Sequence, residues 1–169
     1  MTQYKLSIAI IFNLTCFLFN SGQYCIYKKG NCPKGLEEGY IHWHDETYKN
    51  INEKGGTLPD GIYDEDTRIN YCCRTDGDKF NPMPLPLISS FYLMAYNSPE
   101  CQRVQGAIST EEYIRYHTED VSNKDRENGS HPYGGGINNH NISYCYYESK
   151  FCNLELRNRK RVPCFCFCV

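Results

Sequence analysis

Fifteen tyrosines, one tryptophan and eleven cysteines stand out in this chain of 169 residues. Aromatic rings stack on sugar faces, and a phenol adds a hydrogen-bond handle, so the tyrosines raise carbohydrate contact as candidate chemistry. Tyrosine is also a good strand residue that fills small disulfide-rich cores, which is the plainer reading for any single one. Trp43 is the best-placed candidate, with Tyr116 at the equivalent place of an internal repeat. His44 and His117 recur in the same way, Asp45 follows His44, and Tyr133 replaces Asp60 in a repeated turn. Trp43, His44, Asp45, Tyr116, His117 and Tyr133 are therefore the candidate ligand-binding set. His42 and His44 lie two apart on one strand face, a spacing able to hold a metal. The second copy carries Arg115 in place of His42, so a duplicated metal site does not follow. Asp60, Asp64, Glu65, Asp66, Asp76 and Asp78 could offer calcium its oxygen ligands. The EF-hand spacing and its closing glutamate are absent, so these read as ordinary solvated loop acids and no cofactor is expected. The chain has no Gly-x-Ser-x-Gly elbow and no His-Glu-x-x-His pair, so an enzyme is not expected.

The repeat relates Tyr40 to Arg74 with a second stretch 73 residues later, without a gap. Eleven of 35 positions are identical, among them Tyr40/Tyr113, His44/His117, Pro59/Pro132, Gly61/Gly134, Tyr71/Tyr144 and Cys72/Cys145. Residue frequencies alone would give roughly two. Two copies of this length predict half-domains paired about a pseudo-twofold axis into one core, since an open solenoid needs more units.

The first 22 residues have the pattern of a secretory signal peptide: Lys5, a mostly apolar run from Leu6 to Phe19, then Ser21 and Gly22. The run is short for a membrane span, which needs about 20 apolar residues. Residues 23–147 form the expected single domain, and 148–169 a cysteine-rich tail. Loss of the first segment moves the formal charge from −2 to −3, which does not suit nucleic acid. Cys16 leaves with it. The remaining ten are Cys25, Cys32, Cys72, Cys73, Cys101, Cys145, Cys152, Cys164, Cys166 and Cys168, an even number that reads as disulfides in an exported chain. A zinc site is disfavoured because no Cys-x-x-Cys pair exists. The repeat suggests symmetric bridges Cys32–Cys72 and Cys101–Cys145. Asn128 and Asn141 head glycosylation sequons.

Short aromatic and β-branched runs separated by turn residues predict strands. They lie at Gln23–Lys28, Gly39–Asp45, Thr67–Arg74, Ser90–Tyr96, Glu111–Thr118 and Asn141–Tyr147. Alternation puts Ile41 and Trp43 on one face and Tyr40, His42 and His44 on the other. The fourth run is apolar on both faces and belongs in the middle of a sheet. Pro59-Asp60-Gly61 and Pro132-Tyr133-Gly134 are repeated turns. Pro82, Pro84 and Pro86 mark an extended connector between the halves. The expected fold is mostly β: a disulfide-stabilised, antiparallel, sandwich-like single domain.

Several runs together resemble the apextrin C-terminal domain (ApeC). They are Cys32-Pro33-Lys34-Gly35, Gly39-Tyr40-Ile41-His42-Trp43, Leu58-Pro59-Asp60-Gly61 and Tyr71-Cys72-Cys73-Arg74-Thr75-Asp76-Gly77. The second half adds Pro86-Leu87, Phe91-Tyr92-Leu93-Met94, Cys101-Gln102, Glu112-Tyr113-Ile114, His131-Pro132-Tyr133 and Tyr144-Cys145-Tyr146-Tyr147. The resemblance spans about residues 24–147. It implies a secreted protein that recognises bacterial cell-wall glycopeptide, peptidoglycan fragments in particular, in innate immunity. Extracellular adhesion is the other role it implies, with a structural or adhesive matrix protein as the competing class. Some relatives join this domain to a membrane-attack/perforin domain. No segment of that size precedes Gln23, so pore formation is not expected.

Overall fold

The computed structural model describes residues 21–46, 48, 50–119, 121–134 and 141–150. Most of the expected signal segment and the tail cysteines Cys152, Cys164, Cys166 and Cys168 lie outside these residues. Eight strands follow in order: β1 (Tyr24–Tyr27), β2 (Glu37–Trp43), β3 (Gly61–Tyr63), β4 (Thr67–Arg74), β5 (Phe91–Ala95), β6 (Ala107–Arg115), β7 (Arg126–Gly129) and β8 (Asn141–Ser149). All are antiparallel to their neighbours in one sheet of order β6-β8-β5-β1-β4-β2-β7, with β3 paired to β4 beside β1. No helix among the described residues is long and apolar enough to cross a membrane.

The six expected strands all form; Thr67–Arg74 matches at both ends and the other five are shifted at one end or both. β6 begins four residues before the aromatic run that marks it, because Ala107–Thr110 pair with Tyr146–Ser149 of β8. β3 and β7 have no counterpart among the expected strands. Arg126-Glu127-Asn128-Gly129 lacks alternation and is exposed throughout; it becomes a strand because the open edge of β2 offers it backbone partners from Gly39 to His42. The sandwich is corrected to a single sheet: β1 pairs with β5 in the middle and joins the halves edge to edge.

Pairing follows the repeat. Tyr40 faces Asn70 and Ile41 faces Ile69; 73 residues on, Tyr113 faces Ser143 and Ile114 faces Ile142. β1 on β4 matches β5 on β8 as well, with Ile26 facing Cys72 and Leu93 facing Cys145. The turns agree too. Asp60 N donates to Lys28 O and Asn70 N to Asp60 O, each at 2.8 Å. Tyr133 N donates to Ala95 O at 2.8 Å and Ser143 N to Tyr133 O at 3.0 Å. Cys32–Cys72 and Cys101–Cys145 both form, and Cys25–Cys73 adds a bridge between directly opposed residues. The corresponding opposed pair in the second half is Tyr92 and Tyr146.

Both faces of the sheet are covered. One packs Tyr24, Leu93, Ala95, Cys145 and Tyr147 against Met83 and Val104. The proline connector does more than link: Met83, Leu85 and Leu87 alternate with Pro82, Pro84 and Pro86 and face this core, as an extended chain presents every second residue to one side. The opposite face gathers Ile41, Trp43, Tyr71, Met94 and Ile142. On that face the Trp43 and Tyr116 rings lie 5.2 Å apart. β2 and β6 are five places apart, about 24 Å in a flat sheet at roughly 4.8 Å per strand. The sheet therefore curls strongly over this second core, and Glu119 N donates to His44 O at 2.9 Å where its two ends meet.

Candidate functional site

The structure places the six expected site residues in different settings. Trp43 is buried, 2% exposed, and Tyr116 packs on it as its repeat equivalent. Together they close the curl of the sheet. Burial raises the Tyr116 phenol above its ordinary range, so it stays neutral. His44 is anchored by its backbone, its amide donating to Asp125 Oδ1 at 2.6 Å. The Asp45 carboxylate accepts from Thr67 Oγ1 at 2.6 Å and from Asn52 Nδ2 at 2.8 Å. His117 is exposed. Tyr133 continues the repeated turn and turns a partly exposed ring outward. Trp43, His44 and Tyr116 thus come together where the edges meet, Asp45 ties the following loop to β4, and Tyr133 is set by contacts to β5 and β8.

The loop acids are engaged within the chain. Asp66 lies 3.4 Å from His42, Asp76 pairs with Arg74 at 2.6 Å, and Asp78 accepts from Phe80 N at 2.9 Å. Of the sequon asparagines, Asn128 is exposed on β7. Asn141 opens β8 and accepts from Arg115 Nε at 3.0 Å.

A groove of about 570 Å³ opens between the end of β1 and the loop before β3, lined by Tyr27, Lys28, Lys29, Pro59, Tyr63 and Ile69 among others. A polar recess bearing Asp60, Gly61 and Asn70 continues it. The repeated turn builds this place. A side chain at Gly61 would collide with the Arg68 carbonyl oxygen, so only glycine lets the turn lie against β4. Tyr63 OH donates to Pro59 O at 3.1 Å and orients one ring wall. Tyr27 forms the other and stacks on buried Tyr71 at 5.6 Å. Asp60 stands between the cations, 3.7 Å from Lys28 and 3.8 Å from Lys29, and accepts from Gly30 N at 2.8 Å. Lys28 also meets Glu38 at 3.1 Å, while Lys29 donates to Leu58 O at 2.7 Å and is largely exposed.

Among its described residues, the second half has the turn without the groove's lining. Met94 and Ala95 take the places of Tyr27 and Lys28, and both are buried. Tyr133 stands for Asp60 and buried Ser143 for Asn70. Two aromatic walls, an apolar floor and an exposed ammonium suit a sugar ring bearing a carboxylate. Tyr27, Lys28, Lys29 and Tyr63, which line this groove, are not in the expected set. The only signal for them in sequence was the divergence of the repeat at Asp60, beside the Pro-Gly pair it otherwise keeps.

A family model described as the C-terminal domain of apextrin (ApeC) matches residues 13–147. No curated protein matches the chain, and no solved structure does. The matched stretch covers four-fifths of the sequence and, among the described residues, contains all eight strands but the last two residues of β8 and all three disulfides. The chain belongs to the apextrin C-terminal domain family.

Proposed function

We propose that this protein is a secreted, non-enzymatic recognition protein that binds bacterial cell-wall glycopeptide in innate immunity. The observation that carries this reading is the one-sided groove: the repeat keeps the turn in both halves, yet among the described residues only the first lines it, with Tyr27, Tyr63 and Lys29. The phenols would stack on the sugar, and Lys29 would meet a lactyl or peptide carboxylate. Asp60 is held by two lysines and an amide, an arrangement that favours charge and shape recognition over proton transfer. Three disulfides among the described cysteines fit an extracellular protein.

Purified protein should sediment with insoluble peptidoglycan and be released by soluble muropeptide. Tyr63→Ala should weaken retention roughly five-fold, the scale of one lost aromatic contact. Retention that muropeptide does not compete would remove this reading, and turnover of the polymer would replace it with a hydrolase. The alternative, a structural or adhesive matrix protein, draws on Tyr113 and Ile114, both exposed on β6. It expects binding to extracellular proteins with no response to muropeptide.

A further inference from the structure

The tyrosines concentrate on the face of the sheet that also carries the groove. Tyr27 on β1 stands opposite Tyr71 on β4, with the rings stacked. Tyr92 on β5 stands opposite Tyr146 on β8, with ring centroids 5.1 Å apart. Tyr144 meets Tyr92 edge-on at 6.3 Å and shares a hydroxyl hydrogen bond of 2.9 Å with Tyr27. Because β1 and β5 are neighbours, these contacts join into one run of phenols across β4, β1, β5 and β8. Tyr71 is its buried floor, while Tyr27 and Tyr92 are 42% and 54% exposed. The run spans three strand intervals, about 14 Å, and Tyr27 makes it continuous with the groove.

Charge selects the occupant. In the middle of the run the contacts are phenol to phenol. At its far end Glu112 accepts from Tyr92 OH at 3.1 Å, and at the groove end lie Lys28 and Lys29. A polyanion would meet Glu112 at one end and gain cations only at the other. A neutral, hydroxylated chain with stackable rings fits the exposed phenols Tyr27 and Tyr92, which Tyr144, packed against the second core, joins, and its carboxylate-bearing substituents fit the lysines.

We propose that groove and tyrosine run together form a series of subsites for an extended cell-wall glycan strand of several linked sugars. This rests on the reading of the groove given above and adds that affinity depends on chain length. Lost stacking along the run, and not in the groove, is then what separates long from short ligands.

Calorimetric titration with peptide-bearing disaccharide, tetrasaccharide and octasaccharide cell-wall fragments tests it. The octasaccharide should bind at least about ten-fold tighter than the disaccharide. Tyr92→Ala, at a ring that is 54% exposed, should lower octasaccharide affinity roughly five-fold and leave the disaccharide unchanged. Tyr63→Ala should weaken every member. Equal affinities along the series, or an octasaccharide indifferent to Tyr92→Ala, would overturn the run while the groove reading stands. No binding by any member would overturn both.

Discussion

His42 shows how much a single side chain is set by its neighbours. Burial holds its imidazole below the ordinary value of 6.5, and Arg126, opposite it on β7, adds to the depression, as does His44 more weakly. Asp66 and Asp125 pull the other way without prevailing. The folded chain therefore refuses a proton that the unfolded chain accepts near pH 6.5. Stability from this residue is fully present above that pH and is lost as pH falls through the folded value. Urea unfolding should show the wild type weakening between pH 7 and pH 5, and His42→Gln should flatten that decline. An unchanged slope in the variant would assign the acid sensitivity elsewhere. None of this was legible in sequence, where His42 and His44 read as a metal-type pair. Arg126 and Asp66 reach His42 only through strand pairing.

At the scale of elements, the two turns carry the most specific requirements. Gly61 and Gly134 occupy equivalent places, and a side chain at either would strike a carbonyl oxygen, of Arg68 or Asn141. Gly134 also has φ of +128°, which L-residues rarely adopt. Gly61→Ala and Gly134→Ala should each cost more than about 1 kcal/mol. Gly55→Ala, with nothing near its Cβ, should be close to neutral; denaturant titration of the three variants measures this. Both glycines were readable from the repeated Pro-x-Gly. The nine-residue β6 pairs only with β8 among the described strands. It carries Glu111 and Glu112, charges that discourage pairing of an open edge with another chain.

The whole molecule is held by long-range ties. Cys101–Cys145 spans 44 residues and binds the cover over one core to β8. In the chain-entropy picture, closing such a loop contributes about 4 kcal/mol. Replacing both cysteines with serine should lower the unfolding free energy by roughly that amount, with Cys32–Cys72, of similar span, as the matched comparison. A loss well under about 1 kcal/mol would mean that packing alone holds the cover in place. The repeat gave both pairings, because equivalent half-domains place equivalent cysteines alike. It did not show Cys25–Cys73, since Cys73 has Tyr146 as its counterpart and the copies diverge there.

By itself the sequence determined the β class, the six main strands, the alternation that sorts Ile41 and Trp43 from Tyr40 and His42, and two of the bridges. Each depends on period-two patterning or on the 73-residue spacing, which are properties of the chain. Tertiary structure alone decided that the halves join through β1 and β5 into one sheet, and that this sheet curls until Trp43 meets Tyr116. That contact turned the leading ligand candidate into core. The groove joins Lys29 to a loop about thirty residues away, and the tyrosine run crosses four strands. Which phenols face water therefore depended on the register and curvature of the whole sheet, which no local spacing encodes.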